Sequence, residues 1–337
     1  MAKLDITLSS CVRVSSKKST CTSCADVCPQ DSITFDVSGI SLAKSCDDCA
    51  LCIGVCPTEA ISIDGLDPIE NSFSFLKSDK YILSCQDGPC IGIYHVEYLL
   101  SMAIMQDKEE LELECCALCY DLTLQKMHEV NLILKKLKLL KNLKVSLGKE
   151  DKEDKEELGG RRGFLKKLTL QEPLDSTKVF GDLVGKDIKQ KILPNKRKLL
   201  FMALKRVGKV DVFEDISAQS ISFTSKKIID DSCDNCSICY RVCPSGALSS
   251  NTNGSKIDFD SGLCLKCHLC HDVCESDSIK LDIFNTKDML EPKVERLIEF
   301  KIQRCEDCGI IFTPKGAENM CRRCTIEYEE SRSLWGI

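Results

Sequence analysis

The chain has 337 residues, a formal net charge of −6 and 25 cysteines, and only 6% of its residues are aromatic. This length and the low aromatic content favour several small domains over one large core. The odd cysteine count and a start without a secretory-type apolar segment argue against a disulfide framework, so we expect a reducing, cytoplasmic location. No run reaches the roughly 18 apolar residues that a membrane-spanning helix needs.

Charge is unevenly distributed along the chain. Residues 126–210 carry 23 basic and 11 acidic side chains, a net +12, which leaves −18 for the rest. A basic middle flanked by acidic ends suits an acidic partner protein or contact with the ends themselves. Nucleic acid is not expected as a partner, because the basic residues are not interleaved with aromatic residues.

One cysteine unit occurs four times, beginning at Cys21, Cys46, Cys233 and Cys264. The last three copies have the full spacing C-x-x-C-x-x-C-x-x-x-C, formed by Cys46, Cys49, Cys52 and Cys56, by Cys233, Cys236, Cys239 and Cys243, and by Cys264, Cys267, Cys270 and Cys274. The first copy has Lys18 at the first position and supplies Cys21, Cys24 and Cys28, with Cys11 as the free cysteine upstream.

This spacing suits iron-sulfur cubanes. Three thiolates on a tight loop bind three irons of one cubane, and the fourth, beyond a short helical turn, ligates the neighbouring cluster. Zinc is the alternative, but proteins usually hold it with two C-x-x-C pairs rather than with runs of four cysteines. The runs resemble those of bacterial-type 4Fe-4S dicluster ferredoxins, over residues 1–66 and 226–290. The resemblance implies two small α+β modules, each with two cubanes close enough for electron hopping.

The ferredoxin resemblance also implies four ligand sets, which are Cys233, Cys236, Cys239 and Cys274; Cys264, Cys267, Cys270 and Cys243; Cys46, Cys49, Cys52 and Cys28; and Cys11, Cys21, Cys24 and Cys56. A site with three cysteine ligands and a labile iron is the alternative for the last set. The basic loop after Cys11 is expected to raise the reduction potential of its cluster. His268 and His271 lie between ligands and are interpreted as solvated or sulfur-facing side chains.

The segment 78–145 is predicted to form a β-α-β-α domain. Strands are expected over Tyr81–Cys85 and Leu111–Cys115, and helices over Tyr94–Met105 and from Leu122 onward. A right-handed crossover would make the strands parallel, so that the cysteines that follow them meet at one sheet edge. Met102, Met105, His95 and His128 are interpreted as core or surface residues.

Cys85, Cys90, Cys115 and Cys119 are the predicted ligands of a 2Fe-2S cluster in this domain, with Cys116 as a spare or substitute. Their spacing resembles that of thioredoxin-like 2Fe-2S ferredoxins, and the β-α-β setting resembles the small iron-sulfur subunit that links hydrogenases to heterodisulfide reductases. Another metal such as zinc, or thiol chemistry through a reducible Cys85–Cys90 bridge, are the alternatives.

Residues 146–225 are predicted to form a charged linker and basic helices. SLGKEDKEDKEELGG, at 146–160, is of low complexity, and Arg161–Leu168 looks like a twin-arginine export signature but is internal, so it is interpreted as a basic helix start. Lys196–Lys209 is predicted as a helix with a solvated basic face. Asn131–Val145, just before the linker, is predicted as a packing helix, with peripheral contact to an anionic membrane surface as the alternative.

The tail, residues 300–327, contains two C-x-x-C pairs, Cys305 with Cys308 and Cys321 with Cys324. Gly309 follows the first pair, where a positive φ favours glycine. The tail resembles a zinc ribbon, a small hairpin that folds only with Zn²⁺, and a rubredoxin-like iron site is the alternative.

The predicted fold is multidomain α+β, with two 2×(4Fe-4S) ferredoxin-like modules flanking the β-α-β-α domain and a zinc-ribbon-like tail. The predicted function is single-electron transfer between redox protein partners, for instance in a dehydrogenase or hydrogenase complex, because no nucleotide fingerprint or catalytic triad is present. The layout resembles bacterial multi-cluster ferredoxin proteins that accompany such dehydrogenases. The alternatives are an iron-sulfur subunit of an oxidoreductase acting on thiols, disulfides, quinones or formate, and an accessory or maturation protein for such an enzyme.

Overall fold

The computed structural model describes residues 3–36, 39–148, 178–180, 191–208, 210–314 and 316–335. Residues 149–160 of the predicted linker and the basic stretch Arg161–Leu168 lie outside the described residues, so both interpretations remain predictions. The chain divides into two units, one of Met1–Leu8 and Thr22–Lys186 and the other of Ser9–Cys21 and Asp187–Ile337. Among the described residues, no helix combines the length and the apolar character needed to cross a bilayer.

The described part of the chain alternates short helices and short strands, as the α+β prediction requires. Its helices are α1 (Val12–Ser15), α2 (Ser23–Asp26), α3 (Pro68–Lys77), α4 (Val96–Met105), α5 (Tyr120–Lys136), α6 (Asn195–Leu204), α7 (Ile238–Val242), α8 (Leu269–Asp272), α9 (Thr286–Leu290) and α10 (Arg322–Trp335). Its 3₁₀ helices span Ile53–Val55, Ile91–Ile93 and Ala218–Ser220. Its strands are β1 (Leu4–Ile6), β2 (Ile33–Asp36), β3 (Gly39–Leu42), β4 (Ile61–Ile63), β5 (Ile82–Ser84), β6 (Glu110–Cys115), β7 (Asn142–Leu147), β8 (Lys178–Phe180), β9 (Asp215–Ile216), β10 (Lys226–Ile229), β11 (Leu248–Ser250), β12 (Lys256–Asp260), β13 (Ile279–Asp282), β14 (Phe284–Asn285), β15 (Val294–Glu299), β16 (Gln303–Arg304) and β17 (Ile311–Phe312).

The two cysteine-rich segments repeat one strand arrangement. In the first unit β1 pairs antiparallel with β4, and β2 forms a hairpin with β3. In the second unit β10 pairs antiparallel with β13, and β11 forms a hairpin with β12. The outer pair joins the first and last strands of each segment, so it encloses the loops that carry the cysteine runs. Each sheet is extended by one more strand, β8 beside β3 and β15 beside β12, and β8 comes from within the predicted linker.

The middle segment of the first unit contains a parallel sheet in the order β5-β6-β7. The predicted parallel pair, β5 with β6, is confirmed. The prediction of one packing helix over Asn131–Val145 is wrong beyond Lys136, because α5 ends there and the chain turns into β7. Lys138 has a φ of 58°, a left-handed conformation that an α-helix cannot continue through.

Helix α6 confirms a helix in the basic stretch Lys196–Lys209, and its basic residues are only partly solvated, with Lys198 exposed and two others buried. Lys196 and Arg197 are both 1% exposed. The Arg197 guanidinium donates hydrogen bonds to the carbonyl oxygens of Gly262 and Phe223 and lies 5.6 Å from the Phe223 ring centre. These contacts compensate the burial of the Arg197 charge, so α6 packs with Lys196 and Arg197 facing inward.

Candidate iron-sulfur and metal centres

The three complete cysteine runs share one unusual backbone geometry. In each, the residues immediately before and after the second cysteine have a left-handed conformation, and these residues are Asp48 and Ala50, Asn235 and Ser237, and Lys266 and His268, with φ between 46° and 69°. Left-handed residues other than glycine are uncommon and cluster at functional sites. The first run differs, because Thr22, which follows Cys21 at the equivalent position, has a φ of −128°.

A second shared feature follows the last cysteine of all four runs. The third residue after it is left-handed, at Asp31, Glu59, Gly246 and Asp277. This turn directs backbone amides at the sulfur in the first module, where Ser32 N donates to Cys28 Sγ and Ala60 N donates to Cys56 Sγ, both at 3.3 Å. Hydrogen bonds to sulfur stabilise thiolate ligands and adjust cluster potentials.

Three cavities are each lined by four cysteines. They are lined by Cys233, Cys236, Cys239 and Cys274, by Cys243, Cys264, Cys267 and Cys270, and by Cys28, Cys46, Cys49 and Cys52. In each cavity three cysteines come from one run and the fourth is the last cysteine of the other run in that segment. These are the three sets that the ferredoxin pattern implies, and the sulfur donors around an internal space fit a cubane.

The fourth predicted set is divided between the two units. Cys24 and Cys56 belong to the first unit, while Cys11 and Cys21 belong to the second. There Cys21 packs with Cys267 against the apolar cluster of Val12, Leu269 and Val273. Their common binding of a cluster therefore remains a prediction.

Burial gives several of the cavity cysteines a strong preference for the neutral thiol. It raises the pKa of Cys52 and of Cys239 to about 12, with neighbouring thiolates adding to the effect. It also raises the pKa of Cys49 and of Cys270 to about 11. Buried thiolates at this density need cations nearby, which iron supplies.

His268 and His271 lie within the run from Cys264 to Cys274, and their ring centres are 5.6 Å apart. Burial, followed by the charge of Lys227, lowers the pKa of His271 to about 4, and burial also lowers the pKa of His268. His271 Nε2 lies 2.8 Å from Lys227 Nζ. His271 therefore accepts a hydrogen bond from a buried lysine that the sequence motifs do not reveal.

In the middle segment the structure groups Cys85, Cys90, Cys116 and Cys119, whose sulfurs all lie within 4.8 Å of one another. The sulfur of Cys119 is 3.6 Å from those of Cys85 and Cys116, and Cys90 Sγ is 3.9 Å from Cys116 Sγ. Hydrogen bonds from the neighbouring thiols, that of Cys115 first and that of Cys85 next, lower the pKa of Cys119. The site lies after β5 and β6, at the carboxyl edge of the sheet, as predicted.

The preference for Cys115 over Cys116 as a ligand is corrected by this arrangement. Along β6 alternate residues are buried, and Cys115 shares the inward face of Leu111 and Leu113. Cys116 is the first residue after the strand, so its sulfur is free of that alternation and joins the group.

The middle site lies next to the Cys52–Cys56 loop of the first segment, because two 3₁₀ helices pack together. Each begins at the isoleucine of a Cys-Ile-Gly sequence, directly after Cys52 in one case and after Cys90 in the other. A β-carbon on Gly54 would lie 1.9 Å from the carbonyl oxygen of Gly92, so only glycine allows this approach. Lys126 Nζ, buried beside them, donates to Gly92 O at 3.0 Å and to Tyr94 O at 2.7 Å. The repeated Cys-Ile-Gly is the sequence signal for this contact.

In the tail the structure brings Cys305, Cys308, Cys321 and Cys324 together, with all four sulfurs within 4.8 Å. Cys321 Sγ lies 3.7 Å from Cys308 Sγ and 3.5 Å from Cys324 Sγ. Strands β16 and β17 form the predicted hairpin, and Gly309 between them has a φ of 71°. Hydrogen bonds from the backbone amides of Cys308 and Cys321 lower the pKa of Cys305 to about 6, which makes its thiolate available to a metal at neutral pH.

Comparison with known proteins adds one result to this geometry. Residues 232–278 match the family model of the 4Fe-4S dicluster domain. No curated protein matches the chain significantly. The matched residues include both complete runs of the second unit and two of the four-cysteine cavities. The chain therefore carries an iron-sulfur, ferredoxin-like module and has the general equipment for iron-sulfur electron transfer.

Proposed function

We propose that this protein passes single electrons between redox protein partners through four 4Fe-4S clusters. One observation carries the proposal: three cavities each combine three cysteines of one run with the last cysteine of its paired run. This exchange of ligands is what a two-cubane module requires, since the fourth cysteine of each run serves the neighbouring cluster. The fourth cluster is assigned to Cys11, Cys21, Cys24 and Cys56 by the same ligand pattern.

Electron exchange between neighbouring clusters is supported by the helices that connect their ligands. Cys239 and Cys243 line different cavities and are separated by one turn of α7. Cys270 and Cys274 are related in the same way across α8. At 1.5 Å rise per residue, one such turn spans about 6 Å along the axis, so the two ligand sets of a module are near neighbours.

For the middle site we propose a bound metal centre held by Cys85, Cys90, Cys116 and Cys119. A single tetrahedral ion with metal–sulfur bonds of about 2.3 Å places its sulfurs about 3.8 Å apart. The separations of 3.6 to 3.9 Å fit that arrangement. A 2Fe-2S cluster needs its two thiolate pairs farther apart, because two irons lie between them, so the spacing favours one iron or zinc ion.

Thiol–disulfide chemistry at this site is not favoured. The lowered pKa of Cys119 would suit a nucleophile, but Cys119 has 0% exposure and so has no access to a substrate disulfide. A thiolate surrounded by thiols is also what a metal ligand requires. For the tail we propose a structural zinc ion, supported by two C-x-x-C pairs with sulfurs at tetrahedral spacing.

The proposal is tested by metal analysis and redox titration of the protein purified under anaerobic conditions. We expect about 16 irons and 16 sulfides for four cubanes, with one further iron or zinc at the middle site and one zinc in the tail. Stepwise reduction followed by EPR should show several one-electron centres. The Cys236→Ser and Cys267→Ser variants should each weaken one centre of the second module. A protein with less than about 8 irons, or with clusters that no low-potential reductant reduces, would refute the proposed electron transfer.

A further inference from the structure

The three four-cysteine cavities differ in the charge of their walls. The cavity of Cys243, Cys264, Cys267 and Cys270 is lined by Lys227 and Lys266. The other cavity of the same module is lined by Asp234, and the cavity of the first module by Asp47. Two clusters in one module therefore face opposite charges.

Lys227 is the group that distinguishes the first of these cavities. It lies on β10, is only 3% exposed, and its Nζ is 2.8 Å from the imidazole Nε2 of His271. Burying an ammonium group is costly unless negative charge lies close by. A cluster with four thiolate ligands supplies that charge, and it supplies more of it after reduction.

Lys266 adds to this charge from the cysteine loop itself. Its Nζ donates hydrogen bonds to the carbonyl oxygens of Ala218 and Ile221, which fix the side chain beside the cavity. In the other cavity Asp234 is exposed, and its carboxylate accepts a hydrogen bond from the backbone amide of Cys236. An exposed carboxylate acts more weakly than a buried ammonium group, because water screens it.

We propose that Lys227 makes the cluster of Cys243, Cys264, Cys267 and Cys270 the more easily reduced of the two in the second module, so that an electron entering the module settles there. The inference rests on the proposed 4Fe-4S clusters. A fixed positive charge in a region of low dielectric constant stabilises the reduced, more negative form of a cluster. This assignment differs from the sequence-based one, which expected a raised potential beside the basic loop after Cys11.

The test is a potentiometric EPR titration of the full chain carrying Lys227→Gln. The glutamine amide can still donate to His271 but carries no charge. We expect the ratio of reduced to oxidised cluster, at a fixed potential near the midpoint, to fall at least tenfold for one centre of the second module, a shift of about 59 mV for a one-electron couple. Lys227→Arg keeps the charge and should restore a potential near that of the wild type.

Lys280→Met is the matched control. Lys280 is an exposed lysine on the neighbouring strand β13, and it pairs with Asp277. Removing it should leave the ratio of reduced to oxidised cluster, at the same fixed potential, within twofold of the wild-type ratio for every centre.

Iron content distinguishes failure of the proposed function from failure of the role proposed for Lys227. Wild-type protein without iron refutes the proposed function, whereas Lys227→Gln with full iron and unchanged potentials refutes only the role of Lys227. If Lys227→Gln loses iron, the test passes to Lys227→Arg, in which the two clusters of the second module should still have unequal potentials. Equal potentials of these two clusters in Lys227→Arg would overturn the inference.

Discussion

Strand register separates Cys115 from Cys116, although the two residues are adjacent in the chain. Cys115 ends the inward face of β6 and is hydrogen-bonded to Cys119, whereas Cys116 is one of four sulfurs within 4.8 Å. We expect Cys116→Ser to lose the metal of the middle site and Cys115→Ser to keep it. Metal content per chain, measured after identical anaerobic purification, checks the pair.

The two serine variants control each other, since both remove one thiol from the same edge of the sheet. The structural assignment would be wrong if Cys115→Ser lost the metal and Cys116→Ser retained it. Equal loss in both variants would mean that five sulfurs share the site. The iron of the cubanes provides an internal reference, because neither cysteine lines their cavities.

Single residues also show which features of the structure a sequence pattern can predict and which it cannot. The spacing of the complete runs predicted which cysteines come together, because the sequence gives both the number of cysteines and the lengths of the loops between them. The burial of Arg197 was not predictable in this way, since its two acceptors, Gly262 and Phe223, lie 65 and 26 residues away. A run of basic residues in the sequence predicts a solvated helix face, and only the structure shows that distant carbonyl groups bind Arg197.

At the scale of elements, the two 3₁₀ helices that follow Cys52 and Cys90 form the most sensitive contact of the first unit. Gly54→Ala would place a β-carbon 1.9 Å from Gly92 O, an atom of the backbone that cannot rotate away. We expect the helices to separate, which should lower the apparent melting temperature and the metal content of the middle site. Overpacking that forces a backbone shift of this kind costs about 1 to 3 kcal/mol.

Gly88→Ala is the matched control, because Gly88 lies in the neighbouring loop and an added β-carbon would meet no atom within 4 Å. Thermal scans at one fixed heating rate and metal analysis should show it to behave like the wild type. Equal behaviour of Gly54→Ala and Gly88→Ala would show that the close approach is not needed for either site. The comparison therefore measures the contact itself rather than the loss of glycine.

Helices and strands were predicted well where the apolar residues recur with a clear period. They were predicted poorly where one apolar stretch contains both a helix and a strand. The alternation of LELEC predicted β6 within one residue of its observed start. NLILKKLKLLKNLKV keeps leucines at near-helical spacing past Lys136, so the period alone did not reveal where α5 ends and β7 begins. The alternating LKVSL at the end of that stretch was the available signal for the strand. Helix α3 was missed although Asp67 precedes Pro68, and its side chain accepts a hydrogen bond from Ile69 N as an N-cap.

At the scale of the whole molecule, buried cysteines form part of the core in both units. In the second unit one apolar cluster contains Cys239, Cys264 and Cys270 among its buried members, packed with Leu248, Phe259 and other apolar residues. Modules of this size bury little apolar surface, so bound metal supplies much of their folding energy. Loss of one metal should therefore unfold one module and leave the others folded.

The tail provides the sharpest test of that independence. Its buried cluster consists of Cys305, Cys321 and Cys324, with Phe312 and Met320 packed against it, which is too small a core to fold without a metal ion. We expect a zinc chelator to make the tail of the full chain sensitive to trypsin at Arg322 and Arg323, while the iron content stays unchanged. Because thiol protons compete with the metal, the chelator concentration required should rise with pH.

Limited proteolysis with mass analysis, run beside iron determination, measures both effects in one sample. Cys321→Ser should show the same cleavage without chelator, because it removes the sulfur that lies nearest to two other ligands. Ser331→Ala, an exposed change on α10 away from the sulfurs, should resist cleavage as the wild type does. A tail that stays resistant after its metal has been removed would show that the hairpin and α10 fold on their own, and metal would then adjust an existing structure rather than create it.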